Sequence, residues 1–293
     1  MSWAVGSGAS GQTYSLSMSG VEWVCWQTLP RMLQPEELLQ YLHEKYPQGF
    51  LVRGVPTELW AHWRHEGLHA ITSGLEAALP PYPELWGKSS LRQLCRRGLR
   101  WGQVRELAPK AIDRARYARF IENSNIGHRP LLRGMYRDQA ADAQRCFVFE
   151  DENGNWLALV TLTRNATHRW HVELMQRSLN APVGVMEATL LTLYAALHAE
   201  REDNRLTLGE VPFMHTGGGC LSKLTRLAGQ AVKPGYYYPG LYRFKDKFKP
   251  HWQPLRIVCT KPITPLTMAE LMFATGAHRV MWRGWWDKMK NSF

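Results

Sequence analysis

Hydrophobic and polar positions change period many times along the chain, and each change marks an element. Residues 21–26 read as a short strand, and 35–46 as a helix with Leu38, Leu39 and Leu42 at helical spacing. Residues 49–52 are strand-like, and 56–67 form a helix opened by Pro56 and closed by Gly67. Two short strands are predicted within 68–79, around Ser73-Gly74, followed by a helix over 88–100 and a strand over 103–107. A second run starts near Pro109, with a helix over 111–123 that turns Tyr117, Phe120 and Ile121 inward. Strands over 145–150 and 156–162 are joined through Asp-Glu-Asn-Gly-Asn at 151–155, where Asn-Gly is a strong hairpin signal. A strand over 169–175 then leads through the turn at 180–184 into a helix with Met186, Leu190, Leu193 and Leu197 on one face. A strand over 205–208, a triple-glycine loop at 217–219, a short helix near 221–227 and a last clear strand over 255–259 complete the series.

This alternation predicts an α/β (α+β) chain with mixed sheets. Its 293 residues exceed what one core usually holds, about 250. The expected organisation is a loose Gly/Ser-rich arm over 1–20, units over 21–108 and 109–265, and an amphipathic helical tail over 266–293. The strand–loop–helix order of the second unit is that of an acyl-CoA N-acyltransferase-like (GNAT-like) domain, and the first unit reads as a weaker copy. The strand at 169–175 and the helix after it mark where function should collect, because a helix start aims backbone N–H groups and a positive dipole end at a ligand.

Charge narrows the partners. Lys and Arg outnumber Asp and Glu by 36 to 25, a net charge of +11, which favours a polyanion such as nucleic acid or an anionic membrane surface. The helix over 88–100 concentrates Lys88, Arg92, Arg96, Arg97 and Arg100 with no acidic residue before Glu106, a stripe suited to the phosphates of a partner or, equally, to a solvated face. Five scattered cysteines lack metal-ligand spacing and read as reduced thiols. His168 and His171 lack a third ligand at recognisable spacing and read as surface or core histidines rather than a metal site, and Cys220 as a plain thiol. No apolar run approaches the ~20 residues of a membrane span, and residues 1–11 do not read as a signal peptide. The chain is expected to be soluble in the cytoplasm or peripheral at the inner face of the membrane.

Five segments in series carry a more specific likeness. They are 154–162, Glu-Leu-Met-Gln at 173–176, Ala-Pro-Val-Gly-Val-Met-Glu at 181–187, Leu-Gly-Glu-Val-Pro at 208–212 and Gly-Leu-Tyr-Arg-Phe-Lys-Asp-Lys-Phe at 240–248. In order and spacing they resemble the C-terminal catalytic domain of phosphatidylglycerol lysyltransferases. A weaker likeness reaches upstream through Gly67-Leu68, Gly74-Leu-Glu76-Ala77 and the basic helix. The resemblance implies a tandem GNAT-like fold that takes an aminoacyl group from aminoacyl-tRNA and passes it to a hydroxyl on an anionic membrane lipid, with no metal and no coenzyme beyond that co-substrate. It also implies an acid/base group and nearby cations at Glu173, Gln176 and Lys245, with Arg177, Gly184, Gly209, Tyr242, Arg243 and Lys247 around the substrates.

Some positions depart from the family pattern. Glu173 stands for an Asp, adding a methylene, and Gln176 stands for an Arg, losing a fixed cation. Arg177 could replace that charge only if the strand bulges, since in an ideal strand it faces the other side. Val183 replaces the Asn of an Ala-Pro-Asn-Gly turn. Lys245 and Lys247 alternate with Phe244 and Phe248, as in a half-exposed strand. Two other readings stay open: a coenzyme-A-dependent N-acyltransferase, disfavoured because Pro182 removes a donor from the turn, and a non-catalytic RNA- or membrane-binding relative. The tail mixes Trp282, Trp285, Trp286 and Met289 with Arg279, Arg283, Lys288 and Lys290. That composition suits a membrane interface, or a helix packed back on the domain.

Overall fold

The computed structural model describes residues 3–6, 11–124, 132–134, 143–214, 229–230, 233 and 237–290. The elements run β1 (Trp3–Val5), β2 (Gly11–Leu16), β3 (Val21–Leu29), α1 (Pro35–Lys45), β4 (Phe50–Val55), α2 (Thr57–Trp63), β5 (His69–Ala78), α3 (Tyr82–Trp86), α4 (Ser89–Leu99) and β6 (Gln103–Leu107). A 3-10 turn at Pro109–Ala111 leads to α5 (Arg114–Glu122), β7 (Arg145–Glu150), β8 (Trp156–Ala166), β9 (Arg169–Arg177), α6 (Val185–Glu200) and β10 (Arg205–Pro212). After them come α7 (Tyr238–Asp246), β11 (His251–Cys259), α8 (Pro265–Thr275) and α9 (Ala277–Lys290).

Among the described residues one mixed sheet of eleven strands is ordered β1-β3-β4-β11-β5-β10-β9-β8-β7-β6, with β2 also on β3. Its two faces follow from strand alternation. In β7, Phe147 and Phe149 point into one core with α4 and α6, while Cys146 and Val148 point to the other face with Phe120 of α5. At the far end, Leu38 and Leu42 of α1 and Trp63 of α2 cover Val52 and Val258, and Leu271 of α8 packs beneath Trp23, Leu51 and Ile257. The sheet is unbroken where the two expected units meet: β6 pairs with β7, and β11 lies between β4 and β5.

Several elements differ from their sequence-based expectation. The supposed loose arm supplies β1, parallel to Gln27–Leu29 with Trp3, Ala4 and Val5 buried, and β2, antiparallel to β3. Pairing with β3 holds these two segments as strands despite their weak composition. The two strands expected within 68–79 are one, because β10 and β11 pair along both sides of β5 through Gly74. The Phe-Lys-x-Lys-Phe segment belongs to helix α7 and the turn after it, with Pro239 at its start, and Phe244 meets Phe248 one turn on at 5.7 Å. The glycine loop at 217–219, Cys220 and the helix expected at 221–227 lie outside the described residues. Cys25, Cys95, Cys146 and Cys259 are buried free thiols. His168 is a partly exposed neighbour of Asp203, whereas His171 is buried.

The tail divides into two parts. α8 packs back on the domain: Thr264 and Thr267 cap it reciprocally, and buried Glu270 accepts from the backbone N–H groups of Met18 and Ser19, each at 2.8 Å. Gly276, at φ +74°, ends α8 and lets the chain turn into α9. Among the described residues no helix is long and apolar enough to cross a membrane.

Candidate active site

β9 and β10 run parallel and pair only from Arg169↔Arg205 to His171↔Thr207. Beyond that point each strand carries an extra residue. In β9, Thr161 and Leu162 of β8 face Leu174 and Val172, so Glu173 is bulged out of register. The Leu174 N–H turns to the buried Thr161 hydroxyl at 3.1 Å. In β10 the register with β5 slips between Thr207 and Glu210, and Gly209 sits there at φ +77°. A side chain on Gly209 would be strained at that φ, and its Cβ would fall 3.3 Å from both the Val172 carbonyl and the His171 ring. The paired bulges end the parallel ladder and leave an opening between strands whose backbone groups need other partners.

Lys245 of α7 meets that need. Its Nζ donates to the carbonyls of Gly209 and Glu210, each at 3.0 Å, and the residue is 3% exposed. Burial pulls its pKa from the usual 10.5 to about 7, against the raising pull of the Glu210 and Glu76 carboxylates. Glu210 accepts from the Ser73 hydroxyl at 2.5 Å and lies 3.7 Å from Arg53. Glu76, opposite Glu210 on β5, is fully buried and bonded by the Arg169 guanidinium, with His171 Nδ1 at 3.5 Å. Burial alone would raise the Glu76 pKa, but His171 and Arg169 outweigh it and hold it at about 2. His171 Nδ1 also lies 2.9 Å from the Thr207 hydroxyl, and burial pulls this histidine below 6.5.

The residues expected at the site separate into groups. Gly209 and Lys245 meet directly, whereas the Oε2 of Glu173 accepts from Thr163 of β8 at 2.9 Å. Gln176 is buried against the face shared with Leu159, while Arg177 is exposed on the opposite face, so the bulge does not bring Arg177 into the place of the missing cation. Lys247 reaches the buried Glu187 at 2.9 Å, Tyr242 stacks on Trp252 at 4.6 Å, and exposed Arg243 donates to the Tyr237 hydroxyl at 2.7 Å. Gly184 starts α6 at φ +98° against Gly98 of α4, where a Cβ on either glycine would lie 2.3 Å from a backbone carbonyl oxygen. The start of α6 is therefore closed by α4, and Gly184 serves a helix contact.

On α4, Leu91, Cys95 and Gly98 face inward and leave Arg96, Arg97 and Arg100 exposed and Arg92 half-buried. Among the described residues none pairs with these four arginines, whereas Lys88 donates to the Phe248 carbonyl at 3.1 Å. Glu76, Glu210, Arg169, Ser73 and Arg53 were not singled out from sequence, and His171 was read only as a surface or core histidine. A signal existed for the first two: a lone carboxylate between apolar strand neighbours, Leu75 and Ala77 for Glu76, Leu208 and Val211 for Glu210. No group of three or more His, Cys, Asp or Glu side chains among the described residues could hold a metal ion.

Known structures share this architecture. L-PGS from Bacillus licheniformis aligns with a TM-score of 0.63 at 19% identity, over 83% of this chain and 77% of that one. The DUF2156 C-terminal domain from Agrobacterium fabrum gives 0.62 at 18%, over 83% and 76%. FemX gives 0.54 at 10%, over 87% and 86%. These likenesses establish a mixed α/β, GNAT-like acyltransferase fold. The comparison with curated proteins gives no match. The family described as phosphatidylglycerol lysyltransferase, C-terminal, matches residues 35–259, across both bulged strands and α7. The chain belongs to the phosphatidylglycerol lysyltransferase C-terminal family.

Proposed function

We propose that the chain is an aminoacyltransferase that moves an aminoacyl group from the ester of an aminoacyl-tRNA to a hydroxyl on a lipid head group such as that of phosphatidylglycerol. One observation carries the reading: a buried lysine amine held on the Gly209 and Glu210 carbonyls where the β9–β10 ladder ends. Two of its N–H groups are committed to the Gly209 and Glu210 carbonyls. The remaining position on Nζ is an N–H in the charged form and a lone pair in the neutral form. With a pKa of about 7, both forms are populated at working pH.

Transfer needs a group of that kind. The lipid hydroxyl loses a proton as its oxygen bonds to the ester carbonyl, the carbonyl oxygen gains negative charge, and the tRNA ribose oxygen takes a proton as the old bond breaks. Neutral Lys245 accepts the first proton and returns it to the leaving oxygen. Glu76 and Glu210 set the charge around the amine. Arg92, Arg96, Arg97 and Arg100 offer the tRNA a phosphate-binding face. The protein acts at the inner membrane face, where its acceptor lies.

Incubating the protein with radiolabelled aminoacyl-tRNAs and a total lipid extract tests the proposal. Label entering a lipid fraction is the expected outcome. Consumption of acetyl-CoA on an amine, with no aminoacyl-tRNA consumed, would replace the reading with a coenzyme-A-dependent one.

A further inference from the structure

α9 lies beyond the family match at 35–259 and presents a surface that the transfer chemistry does not use. Its inward stripe is narrow: Val280 and Gly284 are buried. At about 100° per residue, Trp285, Met289, Trp282 and Trp286 fall in one arc of roughly 100° on the outside. They are 49%, 51%, 76% and 50% exposed. Exposed Arg279 and Arg283, with Lys290, border that arc on the side beyond Trp286, and Lys290 Nζ lies 5.7 Å from the Trp286 ring.

Three tryptophans, each about half exposed or more, along one arc of a helix form an apolar patch of the kind that marks an interaction surface. From this arrangement we infer that α9 is an interfacial docking helix that lies flat in an anionic bilayer surface, its tryptophan arc in the head-group region and its cationic border on lipid phosphates. The ring of tryptophan is apolar with one N–H donor, which suits the boundary between acyl chains and head groups, and the flanking cations supply the charge complementarity. The helix is carried on a fixed platform, because α8 is tied through Glu270 to the turn between β2 and β3. A second copy of the chain is a poorer occupant. A helix of 14 residues is about 21 Å long, too small for the roughly 800 Å² per partner of a stable interface, and pairing two such faces would set like charges together.

The test measures binding rather than transfer, so its outcome is independent of the catalytic reading. The full chain is sedimented with vesicles of phosphatidylcholine alone, or of phosphatidylcholine with phosphatidylglycerol. Binding to the anionic vesicles only is expected, with a blue shift of tryptophan emission and quenching by acyl-brominated lipid. Trp282→Ala and Trp286→Ala should each weaken binding about tenfold, because each removes a large apolar side chain from the bilayer. Arg279→Gln and Arg283→Gln should each weaken it about fivefold. Trp101→Ala, at an exposed tryptophan outside α9, should leave it unchanged. Equal binding of wild type and the Trp282→Ala/Trp286→Ala double variant would overturn the inference. So would absence of quenching, or a wild-type dimer that the double variant converts to monomer.

Discussion

α4 and α7 are both short helices rich in cations, and they use them in opposite ways. α4 turns Leu91, Cys95 and Gly98 inward and leaves Arg96, Arg97 and Arg100 at the surface, where water screens each charge. α7 buries Lys245, donates two of its N–H groups to backbone carbonyls and brings its pKa to about 7. An exposed guanidinium stays charged and can only attract, so its part is affinity. A buried amine near neutrality can exchange a proton, so its part is chemistry. On the proposed reading, burial alone divides the same residue class between binding and catalytic roles.

The largest expected effect is at Lys245. Lys245→Ala should lower the transfer rate by about 10²-fold or more, the usual contribution of a positioned acid/base group, while tRNA binding stays near wild type. Transfer at the wild-type rate would move Lys245 to a structural role and erase the contrast with α4.

Next is the carboxylate beneath it. Glu76→Gln removes the fully buried partner of the half-buried Arg169 and should cost about 1–3 kcal/mol in urea unfolding at neutral pH. The sign follows from its depressed pKa: the stabilisation is present above the usual 4.5 and is lost as pH falls toward about 2. Wild type should therefore lose stability over that acid range more steeply than the variant. Parallel stability curves for the two proteins would separate Glu76 from the network.

The smallest effect belongs to α4. Replacing Arg92, Arg96 and Arg100 by Gln should flatten the log–log salt dependence of tRNA binding by roughly 0.9 for each duplex phosphate that is no longer neutralised. It should leave the pH dependence of transfer untouched. An unchanged salt slope would mean that this face meets something other than tRNA.

Much of the fold was legible because it is local. β6 and β7 fall where the alternation put them, at Gln103–Leu107 and Arg145–Glu150, and the helix expected over 88–100 is α4. What was not legible depends on pairing. The bulges at Glu173 and Gly209 exist only relative to β8 and β5, and no single strand announces them. Residues 1–20 look loose by composition, yet β3 orders two strands within them. At the site, Lys245 was found through the likeness of its segment to a family motif. The alternation of Phe and Lys around it pointed to a strand, and Pro239, a helix-start signal, went unread. Glu76 and Glu210 lay inside recognised segments, but their importance comes from facing each other across the sheet.

The most direct test of the central claim is the pH profile of transfer at saturating aminoacyl-tRNA, measured as label in lipid so that spontaneous ester hydrolysis is not counted. With neutral Lys245 as the proton acceptor, the rate should rise through a single ionisation with a midpoint near the amine's value of about 7 and then level off. A rate that is flat from about pH 6 to 8.5 would contradict it, because a lysine with an ordinary pKa stays charged across that range.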